Sequence, residues 1–356
     1  MTLILFLLLL SVIVILHEGG HLIAAKIFNV YCSEYSIGMG PVLWQTKGKE
    51  TVYSVRALPI GGFVAMAGDT DNELETKVDD SEIPPERTLT GIAKWKKIII
   101  MLAGIAMNFL LAWVIIALVL NAAGGYSLSP KAEIASVVAG SPAEKAGLQA
   151  GDLILEISSE NGTSVKPKQF DDLTAYMMTY QGEYALTYKV QRGDHVVDLT
   201  VYPSYDNEEG RYLIGIYAPP GEVVKVNLLN CWYYSLDYCR FMISTMLMSL
   251  GQLFRGVGLN QLSGPIGIYQ ATGEAASMGA SSYLLMVALI SLNIGLINAL
   301  PLPILDGGRV LLTLVEAVMG RPLSKKMENA LMTASTILVL MLFVFATSQD
   351  LMRLFK

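Results

Sequence analysis

The residues best suited to chemistry lie near the N-terminus, in the sequence His17-Glu18-Gly19-Gly20-His21. On an α-helix, side chains four residues apart project from one face, so both imidazoles can reach one metal ion. Glu18 lies beside that face and can take a proton from a metal-bound water. The pattern predicts a zinc site that hydrolyses a bond. The alternatives are a chance match or two histidines packed on a helix face.

Two observations weigh against those alternatives. The chain has only three histidines, and two of them are in this motif. The motif also lies in an apolar run from residue 3 to about residue 27, which is long enough to span a membrane. An acidic or basic side chain at mid-membrane costs about 2.5–3.5 kcal/mol on insertion scales, so three titratable groups within five residues indicate a metal or a polar cavity. The third histidine, His195, lies in a polar turn and is predicted to be solvated.

A catalytic zinc usually has three protein ligands and one position open to water. The candidate for the third ligand is Asp306, the acidic residue at the end of the apolar stretch from Tyr283 to Leu305. Pro301 and Pro303 interrupt that stretch and free backbone groups, which a membrane tolerates only where the segment lines a cavity or packs on protein. The alternative is a helix end with Asp306 in cytoplasmic water beside Arg309.

The composition indicates a membrane protein. Of the 356 residues, 53% are hydrophobic and 16% are charged, whereas soluble domains carry about a quarter charged residues. The net charge of −6 argues against a nucleic-acid partner. The three cysteines contain no CxxC, so they imply neither a disulfide framework nor a thiolate zinc site. The predicted spans are residues 3–27, 98–120, 283–305 and 331–346.

Lysine and arginine are concentrated between the first two spans and between the last two. The positive-inside rule therefore predicts that both loops are cytoplasmic and both termini extracytoplasmic. The long segment from about residue 124 to residue 283 is then extracytoplasmic. In the first loop, the strand-like residues from Val42 to Met66 predict a β-hairpin at the membrane, in a place where protein covers it.

The middle of the chain alternates short strands with polar turns over residues 132–203. Its run SPAEKAGLQAGDLILEI resembles the core of PDZ domains in their circularly permuted bacterial form, which commonly bind peptide ends by adding a strand. The predicted domains are an N-terminal membrane half (1–124), a PDZ domain (125–222) and a C-terminal membrane half (223–356). Residues 228–254 predict an interfacial helix, with gating of substrate entry as the alternative.

HEGGH in the first span and NALPLPILDGG (residues 298–308) in the third together resemble the site-2 protease family of intramembrane metalloproteases. The likeness is greatest to the bacterial PDZ-containing branch, which performs regulated intramembrane proteolysis of anti-sigma factors. GIAMNFLLA (104–112), LPIGGFVAMAGD (58–69) and LSGPIGI (262–268) also resemble family segments. The resemblance covers essentially the whole chain, although some relatives have two PDZ segments in tandem and this chain has one.

The resemblance implies that His17, His21 and Asp306 bind Zn²⁺ and that Glu18 is the catalytic base. It further implies that Asn298 and Asn293 hold substrate near the metal, and that the hairpin presents an extended substrate. For the two asparagines, hydrogen bonding between helices is the local alternative.

The expected fold is a polytopic α-helical membrane protein with four transmembrane helices, a membrane-associated β-hairpin and an inserted extracytoplasmic PDZ domain. The resemblance implies a zinc metalloendopeptidase of the bacterial inner membrane that cuts transmembrane substrates, either anti-sigma factors or signal-peptide remnants. The expected partners are single-span membrane proteins or peptides, the bilayer, and a peptide C-terminus at the PDZ domain. An inactive PDZ scaffold and a metal transporter or sensor are the alternatives.

Overall fold

A computed structural model of the chain describes residues 1–69, 83–160, 162, 164–180, 182, 184–206, 211–253 and 262–354. The chain divides into two compact units, the first comprising residues 1–119, 235–243 and 260–356, and the second residues 120–234 and 244–259. The predicted boundaries at residues 124 and 222 stay a prediction.

The first unit is mainly helical. Its main elements are α1 (Thr2–Ile27), β1 (Cys32–Lys47), β2 (Val52–Met66), α2 (Lys94–Ala123), α6 (Pro265–Ser277), α7 (Ala280–Asn298), α8 (Asp306–Met319) and α9 (Lys325–Leu354), together with a short 3-10 helix (Pro85–Arg87). Helices α2 and α5 (Cys231–Leu253) are each divided between the two units. The predicted helix 228–254 corresponds to α5, and Phe254 lies outside the described residues.

Among the described residues, four helices are long and apolar enough to cross a membrane: α1, α2, α7 and α9. Their number equals the number of predicted spans. The third span is shorter than predicted, because α7 ends at Asn298 and a turn leads to Asp306, where α8 begins. Pro301 and Pro303 account for the difference, since proline has no N–H to donate and disfavours helical geometry in the residue before it.

Helix α6 was not predicted from the sequence, and its N-terminus is capped by a distant residue. Gly264 is its N-cap residue and Pro265 its first helical residue. The buried carboxylate of Asp350 on α9 accepts a hydrogen bond of 2.8 Å from the Gly267 N–H. A carboxylate at a helix N-terminus satisfies an otherwise unpaired N–H and opposes the helix dipole. The start of α6 therefore depends on a residue 83 positions away in sequence.

Strands β1 and β2 form an antiparallel hairpin that is longer than predicted, since β1 begins at Cys32 rather than near Val42. Its register is irregular, and Glu34 pairs with both Ala65 and Val52. The Glu34 carboxylate accepts a hydrogen bond of 2.8 Å from Arg56, whose guanidinium lies 4.9 Å from the centre of the Phe63 ring. This network ties the two bent strands together beside α1.

The second unit is rich in short strands. Its elements are β3 (Gly125–Ser127), β4 (Ser136–Val137), α3 (Pro142–Lys145), β5 (Leu153–Ser159), β6 (Ser164–Val165), α4 (Phe170–Thr179), β7 (Leu186–Arg192), β8 (His195–Val201), β9 (Ser204–Asp206), β10 (Arg211–Leu213), β11 (Ile216–Tyr217) and β12 (Val223–Lys225). Four of these strands form a sheet of the order β6-β5-β7-β8, with antiparallel neighbours.

The local signals in the second unit were accurate. Helix α3 begins after Ser141, whose Oγ accepts from the Glu144 N–H at 3.3 Å, and Pro142 is its first residue, where proline is well tolerated. Strands β4 to β8 lie within residues 132–203, where alternating short strands were predicted. Ile154, Ile157, Leu186 and Tyr188 form part of the core beneath α4. Assignment of this unit as a PDZ domain stays a prediction.

A buried ion pair in the second unit gives an expected pH dependence. Asp152 is fully buried and accepts two hydrogen bonds of 2.7 Å from Arg192 and one of 2.9 Å from the Gln149 N–H. Burial alone would raise the pKa of Asp152, but these hydrogen bonds outweigh it and lower the pKa below its ordinary 3.8. The stability from this pair is therefore present at neutral pH and is lost as the pH falls below about 4.

We expect Asp152→Asn to destabilise the sheet by about 2 kcal/mol at pH 7, because hydrogen bonds to the charged carboxylate are lost. Hydrogen exchange of β5 and β7 peptides in the full chain would show faster opening. The difference from wild type should shrink at acid pH. Asp194→Asn, at an exposed position nearby, is the matched control. Unchanged exchange in Asp152→Asn would contradict the assigned role of the pair.

Candidate active site

Two histidines of α1 and the first residue of α8 bring three ligand atoms together. His17 Nε2 and His21 Nε2 are 3.3 Å apart. Asp306 Oδ2 lies 3.2 Å from His17 Nε2 and 3.3 Å from His21 Nε2. The three atoms form a nearly equilateral triangle. In the part of the chain that the structure describes, this is the cluster of histidine, cysteine and acidic residues that could hold a metal ion.

The geometry of the triangle fits zinc. Nitrogen and oxygen ligands at about 2.0–2.2 Å from a tetrahedral zinc lie about 3.3–3.6 Å from one another, close to the observed separations. Two imidazoles and a carboxylate would supply the three protein ligands that catalytic zinc sites commonly have. Asp306 Oδ2 is buried and finds no hydrogen-bond partner among the described residues. A metal ion would satisfy this buried oxygen.

Glycines allow α2 to pack closely enough to enclose the histidines. A Cβ atom added at Gly104 of α2 would lie 2.3 Å from His21 Nε2, and one added at Gly20 of α1 would lie 2.5 Å from the Ala103 carbonyl oxygen. The turn before α8 packs equally closely against Gly307, because a Cβ added there would lie 2.3 Å from the Ala299 carbonyl oxygen. Sequence analysis gave these glycines no role, although Gly104 lies in a segment that resembles the family.

Helix α2 also contacts the outer nitrogens of both histidines. His21 Nδ1 lies 2.8 Å from the Ile100 carbonyl oxygen, and His17 Nδ1 lies 3.2 Å from Nδ2 of the buried Asn108. Sequence analysis did not identify Asn108 as a site residue. Its spacing could have identified it, because residues 100, 104 and 108 are four positions apart and share one face of α2.

The cluster opens on a cavity of about 440 Å³. Glu18 and Asn298 line it together with His17, His21 and Asp306, so five of the candidate site residues lie at one cavity. The structure does not bring Asn293 to this cavity, since it lies exposed on α7 and is not one of the lining residues.

An ion pair forms another part of the cavity wall. Arg309, on the first turn of α8, lies 3.3 Å from Asp69, so its guanidinium is engaged by this carboxylate. Both residues line the cavity, and the Asp69 side chain is 8% exposed. Asp306 thus begins its helix inside a protein-lined cavity rather than in open water beside Arg309.

Strand β2 runs beside Glu18, the residue predicted to be the base. Gly62, Phe63, Val64 and Met66 of β2 line the cavity. A Cβ added at Gly62 would lie 3.4 Å from Glu18 Cγ and 3.0 Å from Val14 Cγ1. The hairpin is fixed against α1 by Tyr35, whose hydroxyl donates to the Ile15 carbonyl oxygen at 2.7 Å. The cavity therefore has an extended backbone on one side and the metal-ligand cluster on another.

Comparisons with known proteins agree with this chemistry. The sequence model described as peptidase family M50 matches residues 5–342. The chain is 31% identical to the zinc metalloprotease RasP of Shouchella clausii, with all of both chains covered. It is 28% identical to the zinc metalloprotease RasP of Bacillus licheniformis over 99% of each chain. It is also 26% identical to the regulator of sigma-W protease RasP of Bacillus subtilis, again over 99% of each chain.

Proposed function

Because the chain belongs to peptidase family M50 and is a multi-pass intramembrane zinc metalloprotease, we propose that His17, His21 and Asp306 hold its zinc and that Glu18 is its general base. The observation that carries this assignment is the triangle of two Nε2 atoms and Asp306 Oδ2, with sides of 3.2–3.3 Å, in the wall of a cavity that Glu18 shares.

The reaction proposed is hydrolysis of a peptide bond. Zinc held by these three residues would polarise the scissile carbonyl and lower the pKa of the attacking water to about 7. The Glu18 carboxylate takes the proton from the attacking water and later passes it to the nitrogen of the leaving amine. Asn298, in the wall of the same cavity, is proposed to orient the substrate backbone through its amide. Asn293 would need a rearrangement to take that role.

The substrates proposed are single-span membrane proteins, either anti-sigma factors or signal-peptide remnants. The name of the Bacillus subtilis relative, regulator of sigma-W protease, links that protein to a sigma factor, which supports the first class. A transmembrane helix hides its amides in hydrogen bonds, so it must unwind before cleavage. We place the unwound segment along residues 62–66 of β2, where pairing with an extended chain would offset part of the cost of unwinding.

For the topology, we propose the bacterial inner membrane, with both termini and the second unit outside the cytoplasm, because lysine and arginine are concentrated in the intervening loops. We further propose that residues 125–222 form the PDZ domain. A cavity of about 160 Å³ in this unit is lined by Leu173, Met177, Tyr188, Arg211 and Ile214, among others. It is the proposed site for an apolar peptide C-terminus.

The test is cleavage of a tagged single-span substrate by the purified wild type and by Glu18→Gln, with zinc measured on both. We expect no cleavage by Glu18→Gln and equal zinc in both proteins, because the substitution removes the base and leaves the three ligands. Glu274→Gln, exposed on α6, is the matched control and should cleave normally.

Cleavage by Glu18→Gln at the wild-type rate would contradict the role of Glu18.

The substrate proposal is tested in the same assay by replacing one helix-breaking residue of the substrate span with leucine. We expect slower cleavage, since the span then unwinds less readily. An unchanged rate would contradict the proposed need for unwinding.

A further inference from the structure

The outer nitrogens of the two cluster histidines meet different chemical groups on the same helix. His21 Nδ1 faces the Ile100 carbonyl oxygen at 2.8 Å, which can only accept a hydrogen bond. His17 Nδ1 faces the side-chain amide of Asn108, with Nδ2 at 3.2 Å. Ile100 and Asn108 lie two turns apart on one face of α2, so a single helix contacts both rings.

The nitrogen that faces the cluster determines which tautomer a zinc site requires. Nε2 of His17 and of His21 lies within 3.2–3.3 Å of Asp306 Oδ2, so Nε2 is the atom that would hold zinc. A neutral imidazole that binds a metal through Nε2 carries its hydrogen on Nδ1. That N–H needs an acceptor. For His21, the Ile100 carbonyl is the acceptor.

For His17 the group in reach is the amide of Asn108, a side chain with no exposed surface. Its Oδ1 is buried and has no hydrogen-bond partner within the described part of the chain. The oxygen and the NH₂ of an amide have nearly the same shape, and the hydrogen-bond network decides which of them faces a neighbour. A half turn of the amide exchanges their places and gives the Nδ1 hydrogen of His17 an acceptor.

We propose that Asn108 is a positioning residue of the metal site: its Oδ1 accepts the Nδ1 hydrogen of His17 and fixes the ring as an Nε2 ligand. This inference rests on the proposed function, because it presupposes that His17 binds zinc. Partners that orient a metal-binding histidine in this way contribute about 10–100-fold to metal affinity.

The amide can be tested apart from helix packing, because other contacts hold the backbone of Asn108. The backbone carbonyl oxygen of Asn108 accepts a hydrogen bond of 2.9 Å from Ser291 Oγ of α7. A Cβ added at Gly295 of α7 would lie 3.2 Å from the Asn108 Cβ, so the two helices pack closely here. If Asn108 served only this packing, a leucine would replace it better than an aspartate, since a buried carboxylate is costly.

The experiment compares the affinity for zinc, by competition with a chelator, of the purified full chain and of Asn108→Asp and Asn108→Leu. Aspartate keeps an acceptor of the same shape, and leucine is similar in size without one. We expect Asn108→Asp to bind zinc nearly as tightly as wild type and Asn108→Leu about 10–100-fold more weakly. The absorption spectrum of bound Co²⁺ should be kept in Asn108→Asp and altered in Asn108→Leu.

Asn108→Ala also lacks an acceptor and replaces the leucine variant if the latter does not fold. Ser291→Ala is the packing control and should bind zinc like wild type. Wild-type affinity in Asn108→Leu, weaker binding by Asn108→Asp than by Asn108→Leu, or an equal loss in Ser291→Ala would each overturn the inference. A wild-type chain that binds no zinc would overturn the metal site itself, which distinguishes the two failures.

Discussion

Replacing Asp306 with alanine is expected to remove both the zinc and the protease activity, whereas Glu18→Gln removes the activity alone. Asp306 Oδ2 lies 3.2 and 3.3 Å from the two Nε2 atoms and completes the triangle of ligand atoms. Two histidines alone leave the ion one ligand short of the usual catalytic set. We expect zinc affinity to fall by more than about 100-fold, the upper figure for loss of a merely supporting residue. Zinc content after dialysis against a zinc buffer measures this.

Two controls make that result specific. Asp69→Asn changes another carboxylate in the same cavity, one that contacts Arg309 and is not in the triangle, so zinc should be retained. His195→Ala changes the third histidine of the chain, which is exposed on β8, and should also retain zinc. If Asp306→Ala kept one zinc per chain, the third ligand would have to be another residue.

The parts of the site that could be predicted from sequence are those that depend on local spacing. His17 and His21 share a face because they are four residues apart on one helix, and Glu18 follows from the same spacing. The four apolar helices were likewise visible as long hydrophobic runs. Asp306 was found for a different reason, as the acidic residue that follows a proline-interrupted span.

The features that could not be predicted depend on contacts between distant segments. Asn108 and His17 are 91 residues apart in sequence, and Ile100 and His21 are 79 apart. No local pattern shows that α2 crosses α1 at these positions. The same limitation explains why α6 was missed, since its start is capped by Asp350 of α9. The extension of β1 back to Cys32 is also set by its partners, Ala65 and Val52 for Glu34, rather than by strand composition.

Gly104→Ala is expected to weaken zinc binding and cleavage strongly, even though alanine favours helices by about 1 kcal/mol over glycine. The reason is steric, because the new Cβ would lie 2.3 Å from His21 Nε2 and 2.9 Å from His17 Cε1. The added Cβ atom cannot be accommodated at these distances unless an imidazole is displaced or α1 separates from α2. Either displacement opens the triangle of ligand atoms, so we expect zinc affinity to fall by at least about 10-fold, as when a histidine loses its orientation.

Gly251→Ala is the matched control, since a Cβ at this helical glycine of α5 meets no atom of the described residues within 4 Å. It should bind zinc and cleave substrate like wild type. Circular dichroism of both variants should show unchanged helix content, which separates a local steric effect from loss of folding. Equal zinc affinity in Gly104→Ala and Gly251→Ala would mean that α1 and α2 can separate without disturbing the imidazoles. Close packing at Gly104 would then have no part in holding the metal ligands.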